Sequence, residues 1–344
     1  MPAGYVANAR GQRDNPYRDR PAVADTWRMP DDSGDQIADV TRAGLAAAVA
    51  VARAQGLPAD DPEVLSSRGN VLVHLRPAPV VARVATLTAW TRSEPFDWLA
   101  REVAVAAYAA ANGGPVVPPT PLADPGPHRS HGLAVSLWTF VPPSPRRPAP
   151  TEFGVALARL HTAAAGFPAD LPVLAPLRAQ ISDALAALER ERAEEPAVLA
   201  ALRSRHAEIL AELDSLDGPG LVLHGDAHPG NLLWTPAGWL WTDLEETCRG
   251  PHAFDLAVLV RGQDAGDAAT ALAAYADATG EPLPGPAELA WFDWARALEG
   301  AVWVLAMAHQ YPARYAEWAP ELLGSVLASP RPSPGPGPGS TMGA

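Results

Sequence analysis

The sequence predicts an α+β protein of two unequal lobes, a small antiparallel sheet lobe followed by a larger, mainly helical one. Three observations predict it. Short strand-like runs cluster before residue 142, and helical periodicity dominates after it. The helical part is interrupted once, by two polar strand–turn units.

Taken in order, the first thirty or so residues are polar and lack a period, so residues 1–31 are expected to be a disordered tail. Residues 37–54 carry apolar side chains at helical spacing. VLSS, the turn Arg68-Gly69-Asn70, VLVHL, the turn RPAP and VVARVATL then predict three short antiparallel strands. A helix opens near Ser93 with Glu94-Pro95 and stops at Gly113-Gly114, where two glycines end the pattern. LAVSLWTFV, residues 133–141, reads as a fourth strand, and the proline-rich VPPSPRRPAP after it is the expected connector between lobes. The sheet lobe is therefore assigned to 32–141 and the helical lobe to 142–329. Within the latter, helical patterns run over 152–165, 174–216 and 254–327. The proline- and glycine-rich end, 330–344, is expected to be a second disordered tail.

Composition narrows the function. The 344 residues carry a formal net charge of −13, which disfavours a nucleic-acid or anionic-membrane surface. Every basic residue is arginine and none is lysine. Cys248 is the only cysteine, so no intrachain disulfide can form and a reducing, cytoplasmic setting is expected. Alanine-rich stretches are broken at Arg53 and His309 before they reach membrane-spanning length.

Chemistry concentrates in HGDAHPGN, residues 224–231, between apolar LVL and LLW. The next strand is expected to run through GWLWTDLEE and to deliver Asp243 and Glu245 to one side, alternating with Leu244. Asp226, Asn231 and Asp243 then converge. Hard oxygen donors of this kind suit Mg²⁺, while a spare carboxylate can align a hydroxyl and take its proton, which together are the needs of phosphoryl transfer.

HGDAHPGN, TDLEE and RGPHAFDLA together resemble the aminoglycoside phosphotransferase and choline kinase-like superfamily, over residues 224–257. That resemblance implies a bilobal protein-kinase-like fold and a small-molecule kinase using ATP and Mg²⁺. It implies that Asp226 is the catalytic base, that Asn231 and Asp243 hold the metal, and that Asp255 braces the catalytic loop. His224 and His228 are expected to brace the same loop by hydrogen bonds. Glu245 is either a second metal or acceptor contact or a loop anchor.

By position, Arg83 stands where kinases place a phosphate-contacting lysine, and Glu102 matches the helix glutamate that pairs with it. An arginine there departs from the kinase pattern, although its guanidinium fork still suits phosphate oxygens. Ser67 and Gly69 fall in the expected phosphate-covering turn, and Phe140 and Val141 in the adenine-side hinge. Trp291 and Trp294 are candidates for core or for an acceptor pocket. The expected partners are a nucleoside triphosphate and a small hydroxylated acceptor, an aminoglycoside or amino alcohol being favoured by the carboxylates of Glu194-Glu195 and Asp243-Leu244-Glu245-Glu246. Two other readings compete: an inactive kinase-like nucleotide-binding protein, and a metal-dependent hydrolase using the histidines of HGDAH.

Overall fold

The computed structural model describes residues 35–333 apart from 217 and 219. The tail expected over 1–31, and all but the start of that expected over 330–344, lie outside these residues.

Five strands form one antiparallel sheet in the order β1-β2-β3-β5-β4: β1 Glu63–Ser67, β2 Asn70–His74, β3 Val80–Ala85, β4 His128–Ser130 and β5 Leu133–Thr139. Helix α1, Asp35–Ala54, covers one face, where Ala47, Ala48 and Val51 pack on Val71, Val80, Ala82 and Val84. Each such buried valine contributes roughly 1.5–3 kcal/mol. Helix α2, Pro95–Ala111, packs on the other face through Val103 and Ala106 against Val81 and Trp138. Side chains alternate along a strand, so Arg83 shares the α2 side with Val81 while Ala82 and Val84 turn to α1.

The helical part comprises α3 Pro150–Ala164, α4 Ile181–Arg190, α5 Pro196–Leu213, α6 Ala253–Val260, α7 Ala265–Thr279, α8 Pro286–Gln310, α9 Pro312–Tyr315 and α10 Ala319–Ala328. Helix α3 starts on Pro150, with Glu152 accepting from the Ala149 amide at 2.9 Å. Helix α7 starts on Asp264, which accepts from the amides of Gly266 and Asp267, and ends on Gly280 at φ 72°. Helices α3 and α7 approach so closely that a Cβ on Gly154 would lie 2.1 Å from the Ala271 carbonyl oxygen. Two small ribbons carry the chemistry: β6 Leu221–Leu223 pairs with β9 Cys248–Gly250, and β7 Leu232–Thr235 with β8 Gly238–Trp241.

Several expectations change. The three residues of β4 are an addition to the expected strands, since PGPHRSHG carries no strand pattern. Strand β5 ends at Thr139, which leaves Phe140 and Val141 in the connector rather than the strand. The amphipathic stretch 174–216 is broken between α4 and α5 at 191–195, ahead of Pro196. Most consequential is β8, which stops at Trp241: Asp243 adopts a left-handed conformation, φ 65°, and Leu244–Glu246 form a short 3-10 turn.

The lobes also meet away from the connector. Arg314 Nη1 donates to the Ser67 carbonyl at 2.7 Å and the Tyr315 hydroxyl to the Arg68 carbonyl at 2.9 Å, tying the β1–β2 turn to α9. Among the described residues, no helix is long and apolar enough to cross a membrane.

Candidate active site

The loop after β6 is built on a buried carboxylate. Asp255, on the first turn of α6, accepts from the backbone amides of His224 at 2.7 Å and Gly225 at 2.9 Å. His161 Nε2 reaches the same carboxylate at 2.9 Å, and the Tyr275 hydroxyl donates to His161 Nδ1 at 2.8 Å. Burial opposes the charge on Asp255, but these donors prevail and its pKa is lowered. Gly225 allows no substitute: at φ 92° a Cβ would meet the Glu246 carbonyl oxygen at 2.2 Å.

Both histidines of the loop have assigned tautomers. His224 Nδ1 accepts from the Asp226 amide at 3.2 Å, so Nε2 carries the proton and donates to the Thr242 carbonyl at 3.1 Å. His228 Nδ1 accepts from the Gly230 amide at 3.0 Å, which leaves Nε2–H facing Asp226 Oδ2 at 3.3 Å. With these nitrogens committed, neither ring offers a lone pair for the hydrolase metal, and that alternative loses its ligands. Among the described residues no group of three or more His, Cys, Asp or Glu side chains is arranged to hold a metal ion.

Asp226 receives Arg296 Nη2 on its other oxygen, at 2.7 Å. Burial would raise the Asp226 carboxyl, but His228 and Arg296 together hold it well below the usual carboxylate range. Asn231 lies alongside, its side-chain amide donating to the Asp226 carbonyl at 2.9 Å and its own carbonyl accepting from the Thr242 amide at 2.9 Å. That second bond sets Asp243 beside the loop. The amide nitrogen of Asn231 is thus committed and its amide oxygen is the ligand atom left over, while the Asp243 side chain is 39% exposed. An amide oxygen and a carboxylate, with phosphates and water to complete the shell, fit a hard divalent cation.

Across the cleft, Arg83 Nη2 lies 2.6 Å from Asp243 Oδ1 and 2.7 Å from Glu245 Oε2, and Nη1 lies 3.4 Å from Glu102 Oε1. Glu245 also takes Asn70 Nδ2 at 2.8 Å and Arg92 Nη1 at 3.0 Å. Both of its oxygens are occupied by groups of the sheet lobe. Burial opposes its ionisation, yet Arg83 and Arg92 override it and lower its carboxyl to about 2. Glu245 thus joins the transfer-site turn to the sheet lobe through Asn70, Arg83 and Arg92.

A further set had no signal in the sequence. Arg296 Nη1 lies 3.0 Å from Glu246 and 3.3 Å from Glu299, Arg92 reaches Glu246 at 3.4 Å, and Gln180 donates to both glutamates. The carboxylates of Glu245 and Glu246 are therefore paired with arginines, and Glu194-Glu195 lie in the α4–α5 connection. Beside Asp226, the carboxylates expected to attract a cation therefore face Arg83, Arg92 and Arg296.

The remaining candidates are dispersed. Ser67 is fully buried at the end of β1, and Gly69 accepts the Thr88 amide at 3.1 Å. Phe140 stacks on His74 with ring centroids 3.7 Å apart. Cys248 is buried, Trp291 sits in the helical core, and Trp294 lines a cavity.

Burial raises the carboxyl pKa of two acids in the site, Glu102 and Glu246. Burial lifts Glu102 to about 8 against the pull of Arg83, and Glu102 Oε2 is buried without a hydrogen-bond partner. Burial likewise lifts Glu246 to about 8 against Arg296. The unfolded chain releases these protons near 4.5, so stability falls as pH rises towards about 8. Histidines with lowered pKa, His224 among them, act in the opposite sense only below about 6.5. The thermal midpoint is expected to fall between about pH 7 and 8, with a shallower slope in Glu102→Gln. A midpoint that rises over this interval contradicts the raised pKa values.

A model of the phosphotransferase enzyme family matches residues 63–299. No curated protein matches the sequence. Among solved structures, the amicoumacin kinase hAmiN, in complex with AMP-PNP, Ca²⁺ and Ami, is similar with a TM-score of 0.60 at 12% identity, over 84% of this chain and 95% of that one. A choline/ethanolamine kinase family protein from Mesorhizobium loti gives a TM-score of 0.56 at 19% identity, over 86% and 96%. APH(2")-IIia in complex with GDP and kanamycin gives 0.53 at 16%, over 81% and 96%. The bilobal, protein-kinase-like α+β fold is common to all of them.

Proposed function

The chain belongs to the phosphotransferase enzyme family, and on that premise we propose that it transfers the terminal phosphoryl group of ATP to a hydroxyl of a small molecule. The observation that carries the reading is the pairing across the cleft: Arg83 on Asp243 on one side, and Asp226 one hydrogen-bonded loop away on the other. Asn231 and Asp243 would hold Mg²⁺, which supplies charge neutralisation on the phosphates. Arg83 leaves Asp243 for the phosphate oxygens, and Glu102 stays behind it.

Asp226 accepts the hydrogen bond of the acceptor hydroxyl, with Arg296 and His228 fixing its two oxygens. As the acceptor oxygen forms its new bond to phosphorus, the bond to the departing diphosphate breaks and the hydroxyl proton passes to Asp226. A carboxylate of such low basicity orients the hydroxyl first and takes the proton only as that oxygen becomes positive.

The test is acceptor-dependent release of nucleoside diphosphate across a panel of hydroxylated amines, sugars and amphiphiles. Tight Mg²⁺-nucleotide binding with no turnover on any acceptor would favour the inactive-module alternative. Asp243→Ala is expected to weaken Mg²⁺-dependent nucleotide binding at least tenfold, while binding without the metal changes little. Calorimetry showing equal affinity in wild type and variant would place the metal elsewhere.

A further inference from the structure

Three successive carbonyls of the β1–β2 turn are fastened by side chains and backbone outside the turn. Arg314 and Tyr315 of α9 hold those of Ser67 and Arg68, and the Thr88 amide donates to that of Gly69 at 3.1 Å. A peptide unit is planar and trans, so its N–H points away from its own carbonyl. Fixing these carbonyls therefore also fixes the direction of the Arg68, Gly69 and Asn70 amides.

The fastening stands on a packed base. Tyr315 is buried, and Trp303 and Trp318 meet its ring edge-on, with centroids 5.5 and 6.0 Å away. Those contacts aim its hydroxyl, and a buried tyrosine hydroxyl requires a partner. Around it, Met307 and Tyr311 of the helical lobe pack with Ile37 of α1 and with Leu87, in the 3-10 turn Leu87–Trp90. Thr88 belongs to the same 3-10 turn, so all three fastenings rest on one apolar cluster shared by the lobes.

The end of the β1–β2 turn reaches the transfer site. Asn70 Nδ2 and Arg83 Nη2 both donate to Glu245 Oε2, at 2.8 and 2.7 Å, and Thr88 Oγ1 donates to Asn70 Oδ1 at 2.8 Å. The turn therefore ends beside the arginine assigned to the phosphates.

We propose that Arg314 and Tyr315 are positioning residues for the nucleotide: they hold the β1–β2 turn in its phosphate-covering place before the nucleotide arrives, and so set how tightly it is kept. The proposal rests on the phosphotransferase reading. Both side chains act through the backbone of the turn. A segment already ordered loses no freedom when its ligand binds, whereas a turn released from α9 has to be ordered by the nucleotide itself. Affinity then weakens, and the change falls mainly on the rate of release.

The test measures Mg²⁺-ATP binding to the full chain by calorimetry, and release of the N-methylanthraniloyl derivative of ATP by stopped-flow fluorescence. Tyr315→Phe removes the hydroxyl and keeps the ring, while Arg314→Met removes the donors and keeps much of the aliphatic length. The double variant is expected to bind Mg²⁺-ATP at least about fivefold more weakly, the scale of one net hydrogen bond, with release faster in proportion. Arg314→Lys, which keeps a donor for the Ser67 carbonyl, is expected to stay within about twofold of wild type.

Val326→Ala separates positioning from a general loss of stability, because Val326 is buried in the helical core on α10. It is expected to lower the thermal midpoint and to leave affinity and release unchanged. Circular dichroism and the thermal midpoint establish that every variant folds. Equal affinity and release in wild type and double variant overturns the positioning role and leaves the phosphotransferase reading standing. A loss of affinity in Val326→Ala as large as in the double variant overturns that role too. A wild-type chain that binds no Mg²⁺-ATP overturns both.

Discussion

Asp226→Asn is expected to lower acceptor-dependent transfer by about 100- to 10,000-fold, the usual contribution of a positioned proton acceptor. The replacement has the same shape, so Arg296 and His228 keep a neighbour of equal size and the loop stays braced by Asp255. What disappears is the negative charge that orients the acceptor hydroxyl and stabilises its departing proton. Nucleotide affinity is expected to remain near the wild-type value, because the atoms proposed to hold the phosphates and metal belong to Arg83, Asn231 and Asp243. The loss therefore falls on kcat rather than on the dissociation constant of the nucleotide. Transfer within a few-fold of wild type would remove Asp226 from the reacting centre.

Arg296→Met is the second large effect, and it acts on stability as well as catalysis. Arg296 is 9% exposed and touches Asp226, Glu246 and Glu299. Methionine fills part of the volume but leaves these acids without their shared cation, and breaking a buried pair in this way costs about 3–5 kcal/mol. Carboxyls that gain a proton lose their repulsion, so the destabilisation is expected to shrink as pH is lowered. In the surviving folded fraction kcat is expected to fall more than KM rises, since Asp226 keeps its charge but loses half of its orientation. Arg296→Lys is expected to recover part of the stability, and less of kcat, because one ammonium cannot span both carboxylates as a guanidinium fork does. A variant as stable as the wild type at pH 7 would contradict the role of Arg296 as the shared cation.

The site was legible in the sequence where its chemistry is local. HGDAHPGN holds its histidines, aspartate and asparagine within eight residues, and their types alone point to a polar loop at a strand end. Asp255 could be placed because it follows in the same short block. Arg296 lies 70 residues beyond Asp226, in a long helix where a single arginine looks like any solvated charge. Glu299, Gln180 and Arg92 are equally scattered, and only packing brings them together. The turn at Asp243 departs from the expected strand for a different reason: alternation through TDLEE matches a strand, whereas aspartate tolerates the left-handed region and lets the chain leave the strand early. At the level of the fold, hydrophobic period separated sheet from helix along most of the chain, while β4, three residues without alternation, is fixed by its pairing with β5 and by nothing in its own sequence.

The guanidinium of Arg83 also determines which covalent reagents can report on the cleft. An acylating or sulfonylating group on a nucleotide analogue is captured when a neutral side-chain amine attacks it. This chain has no lysine to offer them, and a guanidinium stays protonated throughout the working pH range. Such analogues should occupy the cleft and wash out unattached. Vicinal dicarbonyls add to the neutral guanidine, so the exposed arginines are modified first, and Arg83, buried and paired with Glu102, Asp243 and Glu245, is expected to be among the last to react.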